Sequence, residues 1–98
     1  MENIKGYIDA DGRVTQMPSR RKKKIYVLSY LADRIPEGQE FTEKEFSELL
    51  NSLHTFKDAA TLRREMYDYF LINRDKNGSL YSVNKDRLSA EELVEKYC

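Results

Sequence analysis

The residues of this 98-residue chain with the clearest chemical potential are its cations. Arg20, Arg21, Lys22, Lys23 and Lys24 run together with no acid among them, and cations at that density suit phosphate. A second set, Thr61, Arg63, Arg64 and Tyr67, has the spacing of one helix face. Guanidinium forks there match a phosphate or the edge of a guanine, and the hydroxyls can add hydrogen bonds. Arg74 and Lys76 follow beside Asn77-Gly78. Each set also has an ordinary surface explanation. Arg64 can pair with Asp68 at i+4 and Arg63 with Glu65, contacts worth a few tenths of a kcal/mol. The basic run can pair with the acid-rich stretch from Asp33 to Glu48.

No catalytic residue, metal site or cofactor is expected. The lone His54 follows Leu53 at a helix end, where a cation complements the dipole and needs no chemistry. Cys98 has no visible base or orienting acid. There is no Gly-rich phosphate loop and no ligand cluster. Asn73 to Asn84 approaches a calcium loop, with oxygen donors at its first, third and fifth positions and Gly78 at the sixth. Its last position is Asn84 where a bidentate Glu belongs, and Arg74 and Lys76 stand inside it, so a hairpin is the better reading.

The elements that must position these residues follow from capping and periodicity. Ile4 to Thr15 alternate loosely about Asp11-Gly12, which predicts a short N-terminal hairpin within residues 1–17. Ser19 can cap a helix from about Arg20 to Arg34, with Ile25, Leu28, Leu31, Ala32 and Ile35 on its inner stripe and Pro36 and Gly38 as stops. A run of cations on the first turn of that helix opposes its dipole, at up to ~1 kcal/mol each, and one bound phosphate would resolve the conflict. Thr42 and Glu45 form a capping box and Phe41 and Phe46 a staple for a second helix that buries Phe46, Leu49, Leu50 and Leu53 and ends near His54. Asp58 caps a third, whose inner stripe is Leu62, Met66, Tyr69 and Phe70. Asn77-Gly78 between Leu71–Asp75 and Leu80–Val83 predicts a second hairpin. Ser89 and Glu92 repeat the capping box before a short acidic terminal helix within residues 86–98.

Composition restricts the remaining choices. The net charge is zero and 40% of residues are hydrophobic, enough for one small core. No apolar run exceeds Ile25–Leu28 or Tyr69–Ile72, far below the ~18 residues of a membrane span. A single cysteine allows no internal disulfide, and a cytoplasmic setting without a membrane partner is expected. Zero net charge conceals a basic segment, Arg13 to Lys24, and an acidic one, Asp33 to Glu48, which concern partners more than fold.

Three helices followed by a two-stranded ribbon have the order of a winged helix-turn-helix, so the expected class is α+β: a single domain over residues 1–98 with a wing, a short N-terminal hairpin and a short C-terminal helix. The stretches Asp9 to Arg13, Pro18 to Lys24, Phe41 to Glu45 and Asp58 to Glu65, closed by Arg74, Gly78 and Tyr81, resemble the bacterial domain of unknown function 2087 family, found alone or fused behind helix-turn-helix regulators. Met17 stands where that pattern leads one to expect Trp, and the tail from Asp86 to Cys98 extends beyond it. The resemblance implies a winged-helix-like fold and a link to nucleic-acid binding and transcription, and brings no catalytic residue. The expected function is therefore a DNA-binding regulator module, with duplex DNA as partner, reading it through Thr61, Arg63, Arg64 and Tyr67. Arg20 to Lys24, Arg74 and Lys76 would contact phosphate. A palindromic target would need a homodimer, for which Leu93, Val94 and Tyr97 are the candidate surface. The competing expectation is a protein–protein interaction module steered by its charged segments.

Overall fold

The computed structural model describes residues 4–98. Its element order is α1 (Arg21–Asp33), β1 (Phe41–Thr42), α2 (Glu43–Leu53), α3 (Ala59–Asp68), β2 (Ile72–Arg74), β3 (Leu80–Val83) and α4 (Ala90–Tyr97), after a 3-10 turn at Lys5–Tyr7. The strands form one antiparallel sheet in the order β1-β3-β2, with Phe41 opposite Tyr81, Ile72 opposite Val83 and Arg74 opposite Tyr81. Among the described residues no helix is long and apolar enough to cross a membrane.

Helix α1 is the centre of the core. Ile25, Leu28, Leu31, Ala32 and Ile35 are buried as their spacing predicts, and Tyr26, Val27 and Ser29 are buried as well. The second buried face exists because α4 packs across it, with Leu93 only 1% exposed. Of the residues expected as a dimer surface, Leu93 is in the core, and Val94 and Tyr97 are partly buried against it. Both capping boxes form, Thr42 with Glu45 and Ser89 with Glu92. The Phe41 and Phe46 ring centroids lie 5.8 Å apart, as a staple requires.

Four expectations are corrected. The N-terminal hairpin is reduced to a single bridge between Ile8 and Val14, and its first three residues lie outside those described. Its turn is real: Gly12 at φ +82° donates to the Asp9 carbonyl, and the Asp9 carboxylate accepts from the amides of Asp11 and Arg13. A longer ladder is lost because Val14 pairs instead with the end of α2, exchanging backbone hydrogen bonds with Leu53 and Thr55. Ser19 does not cap α1. Arg20 takes the N-cap position and no side chain caps it.

The sheet also has a third strand, where a two-stranded ribbon is expected. Phe41 and Thr42, read only as staple and cap, pair with β3 as well. Lastly, Phe70 is not on the inner stripe but 63% exposed, because α3 ends two residues before it. Phe70 sits at φ +59° in a Schellman closure, its amide bonded to Tyr67 and that of Leu71 to Met66, and Leu71 takes the buried place. A side chain there is strained where glycine is not. Phe70→Gly is expected to raise stability by about 0.5–1 kcal/mol, read from the midpoint of a urea denaturation curve.

Hydrogen bonds hold three carboxyls, Asp9, Asp75 and Glu92, below their ordinary values. The Arg13 and Asp11 amides and the Arg13 guanidinium outweigh desolvation and hold the Asp9 carboxyl below its ordinary value. Desolvation is also opposed at Asp75, where the amides of Leu80 and Ser79 and the Ser79 hydroxyl prevail, and the Ser89 amide lowers Glu92. A carboxyl lowered by folding stabilises the native state above its unfolded pKa, and that contribution is lost as pH falls through the folded value. Stability is thus expected to decline from about pH 4.5 downward, starting with Glu92 and continuing through the aspartates. In Asp75→Asn, thermal unfolding followed over that range should show a shallower decline.

Candidate nucleic-acid interface

Helix α3 is fixed at its start by two side chains. The Asp58 carboxylate accepts from the Thr61 amide at 3.4 Å. Just upstream, His54 is 3% exposed and bridges the two helices of the turn. The Leu50 carbonyl can only accept, so His54 Nδ1 donates to it, at 2.6 Å, and Nε2 accepts the Asp58 amide at 2.9 Å. With both nitrogens committed and the ring edge-on to Phe56 at 4.6 Å, the imidazole is a joint between α2 and α3. An open depression of about 600 Å³ lies beside it, bordered by Arg13, Asn51, Thr55 and Lys57.

The β2–β3 hairpin stands against the outer face of α3. Its tip is closed by Asp75, whose carboxylate accepts from the amides of Ser79 and Leu80 and from the Ser79 hydroxyl, with Gly78 at φ +70°. The register this imposes sets Arg74 opposite Tyr81. Between helix and hairpin lies a groove of about 350 Å³, lined by Ala60, Thr61, Arg63, Arg64, Tyr67, Arg74 and Tyr81.

Within that groove the cations differ in what they can do. Arg63 is tethered: Nη1 donates to Ser47 Oγ at 3.0 Å, Nη2 pairs with Glu43 at 3.2 Å, and the guanidinium lies 5.4 Å from the Tyr81 ring centroid. The Tyr81 ring in turn stacks on Phe46 at 5.4 Å. Arg74 lies over the ring of Tyr67 at 5.5 Å, and Tyr67 is 47% exposed. Arg64 is exposed, and the i+4 ion pair with Asp68 does not form among the described residues. The open hydrogen-bonding capacity of the groove is therefore that of Arg64, Arg74, Thr61 and Tyr67.

Thr61, Arg63, Arg64, Tyr67 and Arg74 are thus brought together as their types suggest. Lys76 is exposed on the hairpin tip outside the groove lining. Three members of the basic run, Arg21, Lys23 and Lys24, are directed to separate partners. At about 100° per residue its side chains fan round α1: Arg21 donates to the Tyr97 carbonyl at 3.1 Å, Lys23 lies over Tyr7 at 5.6 Å, and Lys24 pairs with Glu65 at 3.7 Å. Glu65 has one carboxylate oxygen buried without a hydrogen bond, so Lys24 serves as its counter-charge. In the acid-rich stretch from Asp33 to Glu48, Asp33 and Glu37 face Arg87, and Glu43 faces Arg63.

Three contributors carry no cation signal in the sequence. Tyr81 is legible only through the hairpin register, which sets it opposite Arg74. The tether of Arg63 to Glu43 and Ser47 and the joint at His54 both depend on how α2 meets α3, which no local pattern specifies.

No curated protein and no solved structure matches the chain. A family model described as "Uncharacterized protein conserved in bacteria (DUF2087)" matches residues 13–83. The match runs from Arg13 through the whole of α1, α2 and α3 to the end of β3 and so includes every residue of the groove. On that coverage the chain belongs to the DUF2087 family of bacterial proteins.

Proposed function

We propose that this domain is a nucleic-acid-binding module of the winged helix-turn-helix type, used in transcriptional regulation. The succession helix, strand, helix, helix, strand, strand with sheet order β1-β3-β2 supports that reading. In it α2 and α3 are the helix-turn-helix pair and β2–β3 the wing. The observation that carries it is the groove in which α3 and the hairpin bring Arg64, Arg74, Thr61 and Tyr67 to one surface. Arginine forks and hydroxyls on a helix beside a ribbon are the groups that neutralise phosphate and contact bases.

The interface has few free cations, so binding by one copy is weak and sensitive to salt. The test is a fluorescence-anisotropy titration of a labelled random duplex at low salt, repeated as salt is raised. Binding should appear, with log K falling linearly against log salt. Arg64→Ala should weaken it about tenfold and lower the salt slope by about one. Binding that is unchanged in Arg64→Ala would remove α3 from the interface. No binding at low salt would turn the reading to a protein interface on the same charged surface.

A further inference from the structure

We propose that the groove between α3 and the β2–β3 hairpin takes an unpaired base, so that the domain prefers single-stranded nucleic acid to an intact duplex. This rests on the nucleic-acid reading above and specifies what that surface binds. A helix that reads the major groove must present free side chains to base edges. Here the outer face of α3 is instead one wall of a hollow of about 350 Å³. Arg63, the fork nearest the floor, has both Nη nitrogens engaged by Ser47 and Glu43.

What the hollow does present is a stacking surface. The Tyr67 ring is 47% exposed and carries the Arg74 guanidinium at 5.5 Å. A planar guanidinium lying over a partly exposed ring continues the stack, so that a base can lie against the fork or the open part of the ring, with its phosphate next to the cation. Phe70, outside the groove lining, follows three residues after Tyr67 with 63% of its surface exposed, in a backbone conformation that glycine would adopt without strain. An apolar ring kept exposed at a strained position is a local conflict of the kind that function retains.

Charge points the same way. An intact duplex carries one charge per ~1.7 Å and is held by an array of phosphate contacts. The groove offers Arg64 and Arg74, and the exposed Asp68 lies on the same helix. Two cations suit a short strand whose affinity comes chiefly from stacking.

The test compares a labelled oligothymidine of about a dozen nucleotides, within the ~4–16 nucleotides that one small domain occupies, with a random duplex of the same length. Both are titrated into the full chain at one low salt concentration. The single strand should bind on the order of tenfold more tightly. Tyr67→Ala should abolish most of that preference, Tyr67→Phe should keep it, and Phe70→Gly should reduce it while the fold is retained by circular dichroism. Equal or tighter duplex binding, or a preference intact in Tyr67→Ala, overturns the proposal and leaves the nucleic-acid reading standing. If neither probe binds, both fail together.

Discussion

Replacing Phe46 by alanine is expected to lower the free energy of unfolding by about 3–5 kcal/mol, a large part of the ~5–15 kcal/mol that holds a domain of this size together. Phe46 is fully buried in α2, and its ring meets one ring from each of two paired strands: Phe41 of the edge strand β1 at 5.8 Å and Tyr81 of the central strand β3 at 5.4 Å, the latter nearly parallel at 7°. The cost combines lost transfer energy with a cavity that α2 and the sheet cannot close without moving. Because Tyr81 floors the groove and supports Arg63, the cavity would open directly beneath the candidate interface. Urea denaturation followed by circular dichroism measures it. A loss under about 1 kcal/mol would mean that the aromatic stack does not join sheet to helix as described.

The second large effect is expected at His54. His54→Ala removes both hydrogen bonds of the imidazole and leaves the Leu50 carbonyl and the Asp58 amide without those partners. An unsatisfied buried group costs about 1–3 kcal/mol; that applies to the Leu50 carbonyl, while the Asp58 amide is only partly buried, so a net loss of about 1–3 kcal/mol is expected, again from urea denaturation. Unlike Phe46→Ala, this change acts on the angle between α2 and α3, since the amide it frees belongs to the N-cap of α3. Amide exchange should accelerate first at the start of α3. Wild-type protection there would contradict the assignment of His54 as the joint of the turn.

How much of this was legible in the sequence follows from where each signal resides. Caps are local, and Thr42 with Glu45, Asp58, and Ser89 with Glu92 all act as their spacing predicts. The stripes of α1 and α2 were likewise readable, because periodicity survives wherever one face meets the core. Phe70 failed this test because it is itself the left-handed residue of the Schellman closure that breaks the period, and no glycine marked the break. The strand at Phe41–Thr42 was hidden by its length, too short to alternate, and by residues that already had another role. For the site, the outward face of α3 was legible as a set, and the Asn77-Gly78 hairpin supplied Arg74. The fate of the basic run was not. Whether five cations on a helix converge or fan out depends on what surrounds the helix, and here Tyr7, Glu65 and the end of α4 surround it.

The central claim is that nucleic acid binds the groove between α3 and the hairpin and not the basic entry of α1. Titrating a short oligothymidine into the isotope-labelled protein and mapping amide chemical shifts tests it most directly. The account predicts perturbations concentrated at Thr61 to Tyr67 and Arg74 to Tyr81, with Arg20 to Lys24 nearly unmoved. Perturbations centred on Arg20 to Lys24, with the groove silent, would contradict it.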